Sequence, residues 1–269
     1  MAPVMPMGIA SYGDLLRRID DGLERVREAV NRIIDNVHRL QPWLGFLGSA
    51  VAAALRKIAT LLEEALKELG NMLTEPGDPP ALWRTGDRWS IDFAGGVSNS
   101  VGTFDLDFLH ADDQWKGPAA TAYAATLPPQ RTALEKVQNV AGEIGDTLRN
   151  VAMAIVAFWA GVATAITLLL GELTAAGALT ATGLGAPAGV GTASASVAKF
   201  IATLGVLGST LGAYLGAIAS QQSRLATQLA DNAPFAGPPA GHWPLSTAAN
   251  LSDGSMTDGD DSDWRLRPE

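Results

Sequence analysis

The stretch YGDLLRRIDDGLERVREAVNRIIDNVHRL, residues 12–40, decides the fold class. Its apolar residues recur at alternating steps of three and four, which is the a/d seam of a heptad pattern. The seam consists of Leu16, Ile19, Leu23, Val26, Val30, Ile33, Val37 and Leu40. Charged residues of both signs fill the other faces. The pattern predicts a long amphipathic α-helix with one stripe to bury.

A second seam of the same kind follows. Gln41-Pro42 ends the first helix, because proline lacks an N–H and disfavours helical geometry in the residue before it. The Pro-rich segment 75–80 closes the second helix. Two arms of about 40 Å joined by a short bend predict an antiparallel hairpin that further helices must cover. The second seam consists of Leu47, Val51, Leu55, Ile58, Leu62, Leu66, Leu69 and Leu73.

The segment from Leu82 to Asp113 is less regular, and we predict that it is helical. Within this segment, Phe104, Leu106 and Phe108 occupy every second position, a pattern typical of a β-strand, so a strand is the alternative. A further helix begins near Ala119, and Pro128-Pro129 is expected to restart or kink it. The apolar face predicted for the less regular segment contains Trp89, Phe93, Val97, Val101, Phe104 and Phe108.

The composition changes sharply between residues 150 and 223, where only Glu172 and Lys199 are charged. Val151–Leu170 and Phe200–Ala219 are each long enough to cross a bilayer, which needs about 20 apolar residues. The second segment has a small-residue face with two overlapping G-x-x-x-G steps, which would let helices pack closely in lipid. This face consists of Gly208, Gly212 and Gly216.

This apolar region has two interpretations. One is a membrane-inserting helical hairpin closed by a Gly-rich joint, Thr180 to Ser194. The other is a hairpin buried in a soluble bundle, where the amphipathic seams of residues 12–74 would cover it. A chain that is soluble first and inserts later satisfies both.

The bulk composition argues against several classes of function. The 269-residue chain carries a formal net charge of −9 and has no basic patch, which argues against nucleic-acid binding. It has no cysteine, and His38, His110 and His242 have no metal-ligand spacing, so we expect no cofactor and no metal. No nucleophile or phosphate-binding motif occurs, and we expect no enzyme. The N-terminus lacks the basic and apolar regions of a signal peptide, so export would need another route.

The bend before the long helix has a specific sequence, Asp113 to Tyr123, which reads DQWKGPAATAY. Gly117 permits backbone geometry that a Cβ resists, and Pro118 presets φ for the first helical turn. Trp115 can cover the open end of a helical hairpin. Ala119, Ala120 and Ala122 let the next helix approach its neighbour closely, and Tyr123 lies one turn after Ala119 on the same face. Trp43-Leu44-Gly45, at the bend of the first hairpin, has the same Trp and Gly but lacks the Ala and Tyr residues that follow Gly117.

These bends resemble the W-x-G turn of the WXG100/ESX group of type VII secretion proteins, including their longer actinobacterial relatives. The resemblance covers about residues 82–150, and 12–74 by architecture together with a bare W-x-G. It implies a helical hairpin that pairs with a small WXG100-like protein or with itself, and export by type VII secretion machinery. Trp43, Gly45, Trp115, Gly117, Pro118 and Tyr123 would then be structural residues of the turns. The alternative is a chance tripeptide in an Ala-rich helical protein.

One feature of that family is missing. Its export signal, Tyr-x-x-x-Asp/Glu, does not occur, because Leu16, Leu127 and Ile218 stand four residues after the three tyrosines. A partner could carry the signal instead. The sequence thus predicts an all-α chain of elongated helical hairpins. Its predicted parts are an N-terminal hairpin (11–74), a linker (75–81), a WXG100-like hairpin (82–231) that includes the apolar hairpin (151–219), and a disordered acidic tail (232–269).

Overall fold

The computed structural model describes residues 5–40, 46–104, 118–182, 185–235 and 241–244. Within these ranges the chain is helical and has no β-strand, which confirms the all-α prediction. The helices are α1 (Met7–Ala10), α2 (Tyr12–Leu40), α3 (Phe46–Thr74), α4 (Pro79–Asp87), a π-helix (Arg88–Phe93), α5 (Ala94–Val101), α6 (Pro118–Ala181) and α7 (Ala186–Ala230).

Two compact units make up the chain. The first contains Met1–Trp83 and Arg149–Ile218, and the second contains Arg84–Leu148 and Ala219–Glu269. Helices α6 and α7 each contribute residues to both units. The first unit therefore holds α2, α3 and the apolar parts of α6 and α7.

The heptad seam of α2 forms one side of the core of the first unit. The helix spans the predicted residues, and its seam is buried from Ile19 to Val37. At its start the prediction was wrong by one residue: Leu15 is buried, and Leu16 only packs partly against the core. A 3.6-residue helix drifts against a strict heptad, which explains why one end of the seam turns away.

Helices α6 and α7 bury the apolar seams of the first hairpin. The core cluster joins the seams of α2 and α3 to the apolar residues of both later helices. Full burial of one Val, Leu, Ile or Phe side chain contributes about 1.5–3 kcal/mol to the stability of the folded chain. The buried residues of the later helices include Phe158, Trp159, Val162, Ile166, Leu169, Leu173, Val190, Val197 and Phe200.

In the second unit, the region after the linker is helical, and only part of its predicted apolar face is buried. Val101 of that face is buried, whereas Trp89 and Phe93 are exposed; Ala94, outside the predicted face, is also buried. The π-helix inserts extra residues per turn, so the 3.6-residue periodicity used for the prediction shifts across it. Gly145 of α6 lies against this region, since a Cβ there would lie 2.6 Å from the Gly86 carbonyl oxygen. The strand alternative depends on Leu106 and Phe108, which lie outside the described residues.

Two predictions about helix ends need correction. Helix α6 runs without interruption through Pro128 and Pro129, so it does not restart there, and a kink at these prolines stays a prediction. The Gly-rich joint is much shorter than predicted, because α6 continues to Ala181 and α7 begins at Ala186. A Cβ on Gly189 would lie 2.6 Å from Thr180 Cγ2, so its glycine serves close helix approach rather than a loop.

Short pieces of the C-terminal segment contact the second unit. Gln130 Nε2 donates a hydrogen bond of 2.7 Å to the Pro244 carbonyl oxygen. The rings of Phe104 and Trp243 lie edge to face with centroids 6.1 Å apart. Most of the acidic tail, from residue 245 onward, lies outside the described residues.

Candidate functional site

The candidate site is the apolar hairpin of the first unit, formed by residues 149–181 of α6 and 186–218 of α7. Both parent helices are long and apolar enough to cross a membrane by length and composition. They differ in burial: about a third of the most apolar window of α6 is buried, against 6% for α7. The two halves of one hairpin therefore have different environments.

The α6 half lies in the core. Val162, Ile166 and Leu173 are almost wholly buried, and they pack with the seams of α2 and α3. Leu168 faces the other way and is 65% exposed. This helix is apolar on the outward face as well as on the buried one, unlike the amphipathic α2.

The α7 half is buried on one side up to Phe200 and is largely exposed beyond it. Between Ile201 and Ile218 the only buried residue is Ile218 itself. Val206 is 64% exposed and Leu215 is 49% exposed, and no charged residue lies between them. Exposed apolar side chains on an uncharged helix surface mark a candidate contact with protein or lipid. We call residues 201–217 of α7 the outer face.

The predicted small-residue face belongs to this outer face. Gly208, Gly212 and Gly216 are exposed, and a Cβ on any of them would meet nothing within 4 Å. Their use in packing between helices in lipid stays a prediction. Close approach inside the hairpin occurs at Gly161, where a Cβ would lie 2.7 Å from Leu207 Cδ2. The sequence reasoning missed Gly161, because it forms no spaced glycine pair.

The only two charges between residues 150 and 223 face each other across the hairpin. Lys199 Nζ of α7 lies 3.4 Å from Glu172 Oε1 of α6. Both side chains are solvent-accessible, so the pair adds little to stability. Its effect is that residues 150–223 carry no net charge.

Polar contacts fasten α6 to the first hairpin at the Pro-rich linker. The Pro76 carbonyl oxygen accepts a 2.6 Å hydrogen bond from Tyr12 Oη and a 3.1 Å bond from Trp159 Nε1. Burial, with the nearby Asp78 carboxylate, raises the pKa of Tyr12 to about 12, so its hydroxyl remains a donor. Gly77 has φ +84°, a left-handed conformation that places the linker directly against Ile155.

A second polar contact lies near the closed end of the hairpin. Asn36 Nδ2 of α2 donates to the Gly177 carbonyl oxygen at 3.4 Å and to Thr180 Oγ1 at 3.2 Å. Thr180 is fully buried, and its hydroxyl donates to the same Gly177 oxygen at 2.9 Å. Neither this contact nor the one at Pro76 was predicted, since both join residues far apart in sequence.

The predicted turn residues are placed only in part. Trp43, Gly45, Trp115 and Gly117 lie outside the described residues. Pro118 is the first residue of α6, and Tyr123 is half-buried within that helix. Among the described residues, no group of three or more histidines and carboxylates could hold a metal ion.

Comparison of the chain with family models, with curated proteins and with solved structures finds no match in any of the three.

Proposed function

We propose that this protein inserts its apolar hairpin into a lipid bilayer, starting from a soluble form in which α2 and α3 cover one side of it. The outer face of α7 is the observation that carries this proposal. Its residues are uncharged, largely apolar and mostly exposed before any partner is bound. Lipid can cover such a surface without any hydrogen-bond requirement, because a helix satisfies its own backbone groups.

The dimensions of the hairpin support a crossing. Val151–Leu170 and Phe200–Ala219 are each about 30 Å long as helices, which equals the hydrocarbon thickness of a bilayer. The contact of Gly161 with Leu207 sets the two spans side by side near their midpoints. Glu172 and Lys199 then come just beyond the same end of the two spans, where a paired charge can remain in the headgroup region.

A matched pair of charge insertions tests this proposal. Ala213 lies on the outer face and Ala53 lies on α3, and both are exposed. An aspartate near the centre of a membrane helix costs about 2.5–3.5 kcal/mol. We therefore expect Ala213→Asp to reduce flotation with phosphatidylcholine vesicles at least tenfold, and Ala53→Asp to leave it unchanged. A wild-type chain that stays in the aqueous fraction, or an Ala213→Asp chain that floats normally, would contradict insertion.

We also propose a second function, export by a type VII system as a WXG100-like protein. Two of the three W-x-G tripeptides directly precede a helix, since Gly45 precedes Phe46 of α3 and Gly117 precedes Pro118 of α6. The third, Trp159-Ala160-Gly161, lies within α6. This position is the one that a helical-hairpin turn requires. The partner would be a small WXG100-like helical protein or a second copy of the chain.

Secretion assays test the second proposal. The chain is expected in the culture medium of a type VII-competent host and absent from that of a type VII-deficient strain. Trp115→Ala is expected to reduce export, whereas Trp89→Ala, at a tryptophan outside any W-x-G, serves as the matched control. Equal export from both strains rules out this route.

A further inference from the structure

We infer that α2 and α3 form a releasable, autoinhibitory cover over the apolar hairpin, and that the Pro76 carbonyl fastens this cover. The inference rests on the proposed insertion and adds what controls it. The same face of α6 cannot contact the cover and lipid at once. Insertion therefore requires that the cover first leave Val162, Ile166 and Leu173.

The cover can exist apart from the hairpin. Its outer faces carry charges of both signs, among them the Arg27–Glu24 pair at 2.6 Å. Its buried seam packs on the hairpin through apolar side chains, whose attraction is non-directional. Lipid tails offer the hairpin equivalent contacts in place of those that it loses. The apolar part of the interface can therefore be exchanged.

The polar contacts have no such replacement in lipid. Pro76 joins Tyr12, at the start of α2, to Trp159 of α6 through one shared oxygen. Asn36 joins the other end of α2 to Gly177 and Thr180. A buried donor left without its acceptor costs about 1–3 kcal/mol. These contacts therefore hold the two ends of α2 in place against α6 until the cover is released.

The close contact between α2 and α6 allows a sharp test. An ideal Cβ on Gly22 would lie 3.9 Å from the Cβ of Ile166 and 2.7 Å from its Cγ2 methyl group. The Cβ separation fits a disulfide, for which about 3.5–4.5 Å is normal. Replacing Ile166 by cysteine also removes the methyl group that would clash. Because the natural chain has no cysteine, the Gly22→Cys/Ile166→Cys variant forms this disulfide alone.

The experiment measures flotation and dye release with phosphatidylcholine vesicles, using the full chain. We expect the oxidised variant to insert at least tenfold less than the same protein after reduction. Wild-type protein under both conditions is the control, since neither reagent can alter its cysteine-free chain. Equal insertion of the oxidised and reduced variant overturns the cover while leaving the proposed insertion standing. A wild-type chain that never inserts overturns the proposed function itself.

A second measurement tests the fastening without new cross-links. Trp159→Phe and Tyr12→Phe each remove one donor to Pro76 and keep the aromatic ring. Both are expected to increase the insertion rate severalfold, whereas Trp89→Phe in the second unit is expected to leave it unchanged. Insertion of both donor variants at the wild-type rate would exclude the role of Pro76.

Discussion

Helices α2 and α7 are both long and rich in apolar residues, yet they use those residues differently. In α2 the apolar residues form one stripe, and the stripe is buried from Ile19 to Val37. In α7, Ile201, Leu204, Leu207 and Leu211 pack partly against the core, whereas Val206 and Leu215 remain exposed. The apolar residues of α2 thus form a buried stripe, whereas those of α7 extend beyond its buried side onto an uncovered surface.

The difference shows that periodicity, more than mean hydropathy, determines what a single folded unit can bury. A stripe at heptad spacing matches the width of one helical contact. A helix that is apolar all round needs neighbours on every side, and the first unit supplies them only for part of α7. Identical substitutions in the two regions should therefore change stability by very different amounts.

The largest contrast is expected from one valine-to-aspartate change made in each helix. Val26 of α2 is 0% exposed and Val206 of α7 is 64% exposed. An unpaired buried carboxylate should cost more than about 3 kcal/mol, so Val26→Asp should unfold or severely destabilise the first unit. Val206→Asp should change stability by less than about 0.5 kcal/mol. Urea unfolding followed by circular dichroism measures both, and comparable losses would mean that the outer face is buried in solution.

The sequence predicted the helices of the first hairpin well, because their seams repeat over many turns. It also identified the apolar segments by composition. It did not separate the inner from the outer side of α7, since the many Ala, Gly, Ser and Thr residues between its larger apolar residues weaken the periodic signal. The contacts of Pro76 with Tyr12 and Trp159, and the fit of Gly161 against Leu207, join distant residues. Such pairings depend on how the helices pack, which no local pattern records.

One glycine-to-alanine substitution in each helix is expected to change stability by a smaller amount and to sharpen the comparison. A Cβ on Gly22 of α2 would lie 2.7 Å from Ile166 Cγ2, whereas one on Gly212 of α7 would meet nothing within 4 Å. Gly22→Ala should overpack the core and destabilise it by about 1–3 kcal/mol, less its gain in helix propensity. Gly212→Ala should stabilise the soluble form by about 0.5–1 kcal/mol. Thermal melts distinguish these signs, and stabilisation by both would show that α2 and α6 can separate slightly.

A double-mutant cycle at Pro76 is expected to give a smaller effect. Tyr12→Phe and Trp159→Phe each remove one hydrogen bond to the same oxygen, worth about 0.5–1.5 kcal/mol. Because either donor alone satisfies the carbonyl, the double variant should lose more stability than the sum of the single losses. Chemical denaturation of the four proteins gives the coupling free energy. Strict additivity would indicate that the two donors act independently.

The smallest effect concerns alkaline pH and the same tyrosine. Tyr12 has a pKa of about 12 in the folded chain, above the usual value of about 10. Its stabilising contribution is therefore fully present below pH 10 and is lost as the pH rises through 12, since the unfolded chain releases the proton first. The stability advantage of the wild type over Tyr12→Phe should shrink across this window. The urea midpoints of both proteins are measured at pH 8, 10 and 11. Taking the difference between the two proteins at each pH cancels the effect of all other titrating groups. An advantage that stays constant to pH 11 would mean that the Tyr12 hydroxyl is not held against Pro76 in solution.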